Sequence, residues 1–155
     1  MKNLKKSVRG FTLIEILIVI GIIAILAAIV IVAINPAKQF AQARNTQRES
    51  NINTILNAVG QNLADNKGIF TCGGEESQIT STLKPIGDTA GSGFIDLESC
   101  LVATYIPDMV LDPENGTSND TGYEISVDSV GRFKVCAPDA AEAAIPGSAQ
   151  ICVTR

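Results

Sequence analysis

The sequence predicts an α+β chain: one long N-terminal helix, membrane-spanning in its first half and amphipathic in its second, packed on a small antiparallel β-sheet. Three observations carry this. An apolar block runs from Phe11 to Ile34, apolar residues recur at helical spacing from Ile52 to Leu63, and short alternating segments follow towards the C-terminus. With 155 residues there is room for one globular domain, residues 36–155, beyond the apolar block at 11–35.

Only Thr12, Glu15 and Gly21 interrupt the block. As a helix it is about 36 Å long, enough to cross a ~30 Å hydrocarbon core with some tilt. Lys2, Lys5, Lys6 and Arg9 precede it without an acid. By the positive-inside rule the N-terminus stays cytoplasmic and everything after Ile34 is exported. A secretory signal peptide fits poorly. Such signals have apolar cores of ~7–15 residues and a small-x-small cleavage site. This core is longer, and Ile25 and Leu26 crowd the Ala27–Ala28 pair.

Glu15 is the anomaly within the block. A carboxylate in a spanning helix costs roughly 2.5–3.5 kcal/mol at the bilayer centre and less near the interface. No cation lies between it and Lys38. Two readings follow. Glu15 reaches water at the headgroups, or a partner is created by cutting after Gly10, namely the new amine of Phe11 on a neighbouring copy.

Gly10-Phe11-Thr12-Leu13-Ile14-Glu15, behind a short basic leader (residues 1–10) and ahead of an aliphatic run, resembles the class III signal of type IV prepilins. Pseudopilins of type II secretion and competence systems share that signal. The resemblance implies cleavage between Gly10 and Phe11 by prepilin peptidase, N-methylation of Phe11, and pairing of Glu15 with the Phe11 amine of an adjacent subunit. It implies insertion in the inner membrane and assembly by an inner-membrane platform into a homo-oligomeric or mixed filament, extracellular or periplasmic. On this resemblance the chain is a structural subunit of a type IV pilus-like filament; the alternative is a type II secretion or competence pseudopilin. One departure stands out. Family members commonly place a helix-breaking proline near Val32, whereas here it is Pro36, behind Asn35. Asn35 as N-cap and Pro36 at the first helical position start a second helix, and Gly21 is a further weak point.

In that second helix Ile52, Ile55, Leu56, Val59 and Leu63 mark a face about 100° wide. Lys38, Arg44, Arg48, Glu49 and several amides are expected on the opposite, solvated side. Gly68, after Asp65-Asn66-Lys67, ends the helix. Residues 68–107 read as irregular, broken at Cys72-Gly73-Gly74, Lys84-Pro85 and Gly91-Ser92-Gly93. Asp96 caps a short helix through Leu97, Cys100 and Leu101, stopped by Pro107. Strands are expected at Met109–Leu111, Tyr123–Val127, Arg132–Cys136 and Ile151–Thr154, with a turn at Asp128–Gly131. The layout also resembles the pilin head domain.

Cys72, Cys100, Cys136 and Cys152 show no CxxC spacing. An even count suits two disulfides in an oxidising compartment; buried free thiols are the alternative. Sequential pairing, Cys72–Cys100 and Cys136–Cys152, is the preferred one of three connectivities. The first bond would pin the irregular loop and the second would tie the hairpin to the last strand.

The segment 112–120 gathers oxygen donors. Calcium takes 6–8 oxygens, and Asp112, Glu114, Asn119 and Asp120 offer some of them, without the EF-hand spacing. Such clusters also form plain solvated turns. By resemblance, major type II pseudopilins bind calcium in a comparable loop. No other cofactor is expected. Two Asn-x-Thr patterns, at Asn115 and Asn119, are given no role.

Composition narrows the function classes. The chain lacks His, the commonest general base and zinc ligand, and has no GxSxG motif, so no enzyme is expected. Removing the four leader cations takes the formal net charge from −4 to −8. Lys67, Lys84, Arg132, Lys134 and Arg155 are scattered, so nucleic acid is not favoured as a partner.

Overall fold

The apolar block folds as one helix, α1, Leu13–Ile34. The computed structural model describes residues 10–72, 75–76, 79–88 and 93–155. The leader cations and the glycines at 73, 74 and 91 lie outside them. Asn35, at φ 49°, ends α1 in the left-handed region, which asparagine tolerates better than most residues. Its side-chain oxygen accepts from the Lys38 N–H at 3.3 Å, and its carbonyl accepts from Lys38 and Gln39. Asn35 therefore caps the second helix, α2, Pro36–Asp65, with Pro36 at the first helical position. The Gly68 N–H returns to the Leu63 carbonyl at 2.7 Å, a Schellman-type stop.

The chain divides into two compact units, Met1–Gln39 and Phe40–Arg155. Within the second, α2 buries Ile52, Ile55, Leu56, Ala58 and Val59 in a core shared with Tyr123, Ile125, Phe133 and Val135. A four-stranded antiparallel sheet runs in the order β3 (Lys84–Pro85), β4 (Glu124–Val127), β5 (Phe133–Ala137), β6 (Ile151–Thr154). The architecture is α+β. A separate two-stranded ladder joins β1 (Thr71–Cys72) to β2 (Glu75–Glu76), and a short helix, α3, covers Glu98–Leu101. The Asp96 carboxylate caps α3 by accepting from the N–H groups of Glu98 and Ser99. At the β4–β5 turn, Asp128 accepts from the N–H groups of Val130 and Arg132 while Gly131 takes φ 84°.

Three expectations need correction. Met109–Leu111 is not a strand: the Leu111 carbonyl accepts from the Asn51 side chain, and the Asp112 N–H goes to the Thr121 carbonyl. Lys84–Pro85, read as a break, is the end strand of the sheet; the missing proline N–H falls on the side away from β4, where the Pro85 carbonyl accepts from the Ile95 N–H. The polar side of α2 is not simply solvated, because Arg48, Asn51 and Asn62 are buried.

The cysteines pair as Cys72–Cys100 and Cys136–Cys152. The second bond bridges directly opposed residues of β5 and β6, with Cα atoms 4.1 Å apart.

Candidate functional site

Gly10 and Phe11 precede the helix, and Thr12 takes extended backbone at ψ 153°. The Thr12 hydroxyl accepts from the Glu15 N–H at 3.2 Å, and the Glu15 carboxylate accepts from the Thr12 N–H at 3.5 Å. This reciprocal pair is a capping box, and it gives Glu15 a task inside its own chain. Its signature, Thr-x-x-Glu ahead of an apolar run, stands in the sequence at Thr12 and Glu15. It places the first helical residue two positions after Phe11.

Phe11, ahead of the cap, is 78% exposed, and beyond the cap every residue of α1 is exposed, Leu13 at 83% among them. A solvated surface of that kind is untenable, so it marks a face meant for lipid or protein. By length and composition α1 can cross a membrane, with a mean hydropathy of 3.5. Placed near the N-terminus, it is compatible with a single membrane anchor.

Residues 5–31 match the family model of the prokaryotic N-terminal methylation motif. The chain carries a type IV pilin-like prepilin signal. No curated protein and no solved structure matches the chain. A prepilin signal in general implies processing by prepilin peptidase and assembly into a pilus or pseudopilus, and the motif is typically found on structural subunits. Gly10, Phe11 and Glu15 all fall within the matched segment.

The acidic loop, where calcium ligands were expected, is organised around an arginine. Asp112 is buried, and its two oxygens face the fully buried Arg48 guanidinium at 2.6 and 3.1 Å. One of them also accepts from the N–H groups of Glu114 and Asn115. Glu114 lies 3.4 Å from Arg44, and the Asp120 side chain accepts from the Gly122 N–H. Among the described residues, no group of three or more His, Cys, Asp or Glu side chains is gathered as for a metal ion. A guanidinium already supplies the positive charge at Asp112.

Glu142 completes this cluster. Its carboxylate receives Arg44 in a bidentate pair and accepts from Arg48 at 2.6 Å. The Arg44 hydrogen bonds, with Arg48 added against the opposing effect of burial, hold Glu142 down at about 2. Burial pushes the Asp112 carboxyl up, but Arg48 and the two backbone N–H groups outweigh it and leave it below the usual range. The Asn51 amide donates to the Leu111 carbonyl and the buried Tyr123 hydroxyl, continuing the polar seam. Sequence reasoning missed the partnership of Arg48 and Glu142. Arg48 stands four residues before Ile52 and seven after the buried Ala41, in phase with the core stripe, and that phase was readable. Glu142, between alanines far along the chain, offered no such signal.

Proposed function

We propose that the chain is a structural subunit of a type IV pilus-like filament, cut between Gly10 and Phe11, N-methylated at Phe11, and assembled through α1. The observation that carries this is the conjunction at the N-terminus of α1. A matched methylation motif, an exposed pair of residues ahead of the helix and an acid in the first turn of a lipid-length helix all coincide. Cleavage there removes four cations and creates one, the Phe11 amine. A neighbouring subunit's amine then supplies the charge that a membrane-embedded Glu15 otherwise lacks. The leader stays on the cytoplasmic side of the inner membrane, and residues 36–155 form the exported surface of the filament.

The Asp112–Arg48 pair favours a pilus over a calcium-dependent major pseudopilin, because the loop's first donor is already neutralised from within. The test is Edman or mass-spectrometric sequencing of the protein isolated from membranes. The mature chain should begin at Phe11 and carry an added methyl group; a mature pool starting at Met1 refutes the reading.

A further inference from the structure

Two features stand out on the surface of the second unit among the described residues. The first is Phe40, 67% exposed near the start of α2. The second is a surface groove of about 470 Å³ beside the last turns of α2. Leu56, Val59, Leu63 and Phe133 give it an apolar lining, Gly60 opens it, and Arg155 stands at its rim. A Cβ at Gly60 would meet nothing within 4 Å, so no packing inside the chain requires glycine there, although glycine weakens a helix interior. No charged residue falls on α2 between Glu49 and Asp65, where a water-facing helix usually carries several.

Phe40 and Gly60 flank the core stripe on opposite sides, about 200° apart around the helix and about 30 Å apart along it. One copy can therefore give its phenyl ring to a second copy while receiving the ring of a third. A knob and a hole on different faces of one molecule make a heterologous contact, which closes into a ring or propagates into an open helical array instead of closing a two-fold dimer. We propose that Phe40 of one copy seats in the groove over Gly60 of another, and that this contact repeats along the filament. The Arg155 guanidinium, held by the side-chain oxygens of Asn53 and Asn57, lies at the groove's edge, where it can contact the face of the incoming ring. The inference rests on the filament reading only for the presence of neighbouring copies.

The experiment co-produces full-length chains carrying Phe40→Cys with chains carrying Gly60→Cys, oxidises the membranes and resolves them on a non-reducing gel. The expected result is a covalent dimer that needs both variants and vanishes on reduction. No dimer overturns the proposal, and so does an adduct formed by the Gly60→Cys chain with a different protein. As a second measurement, Gly60→Leu should keep or raise the melting temperature while lowering the assembled fraction about tenfold or more. Assembly at the wild-type level would overturn the contact. Wild-type membranes without filaments count against the pilus reading, while the crosslink in those same membranes still decides the contact.

Discussion

Arg48 is a cation with no exposed surface, held by two carboxylates from distant parts of the chain, Asp112 and Glu142. Removing Arg48 leaves Asp112 buried without its counter-charge, while Glu142 keeps Arg44. Arg48→Met should therefore lower the unfolding free energy by about 3–5 kcal/mol, read from denaturant unfolding of the full chain in detergent. The same cluster sets a pH dependence. The folded-state pKa of Glu142 is depressed to about 2, and that of Asp112 is depressed as well. Their contribution is complete above the unfolded carboxylate range and disappears as pH falls through the folded values. Stability should thus decline between about pH 4.5 and 2. Glu142→Gln should flatten that decline in melting curves taken across the range, and an unchanged slope would show the pair to be idle. At this scale the sequence was partly legible. The helical phase of Arg48 pointed inward, but its partners lay 64 and 94 residues away, and long-range pairing leaves no local pattern.

Among the elements, those with strong periodicity or chemical punctuation were readable. The apolar run, the Asn35–Pro36 junction, the Gly68 stop and the β4–β5 hairpin all appear within a residue or two of their expected places. The failures have two causes. β1, β2 and β3 have two residues each, too few for alternation to register, and they exist because a neighbouring strand offers a ladder. Met109–Leu111 has the composition of a strand, but α2 claims the Leu111 carbonyl through Asn51. The Cys136–Cys152 bond closes a segment of sequence separation 16 between β5 and β6. On the chain-entropy argument, replacing both cysteines by serine should cost about 3 kcal/mol, measured as the shift in denaturant midpoint at unchanged slope. A change below a few tenths would mean that the sheet holds β6 unaided.

For the whole molecule, Glu15 has two candidate duties, closing the helix start and pairing with a neighbour. Two substitutions separate them. Glutamine can still accept the Thr12 N–H in a capping box but carries no charge; alanine does neither. If pairing governs assembly, both Glu15→Gln and Glu15→Ala should insert in the membrane and both should fail to form filaments in electron micrographs. Filaments from Glu15→Gln alone would reduce the residue to a cap. The apolar helix and its signal were the most legible part of the chain, since lipid thickness and charge asymmetry write themselves into sequence directly. The surface that meets other copies was not, because a heterologous contact joins residues whose relation appears only once the helix is built.

The capping box also bears on the proposed cut. Every described hydrogen bond at the start of α1 belongs to Thr12 or to residues after it. Severing the Gly10–Phe11 bond thus breaks none of them. On the proposed cut, the capping box of Thr12 and Glu15 would be kept, so maturation would alter what the subunit offers its neighbours without undoing the start of α1. In the proposed function the peptidase would thus act as an electrostatic editor, releasing an already folded pool to assembly by a single hydrolysis.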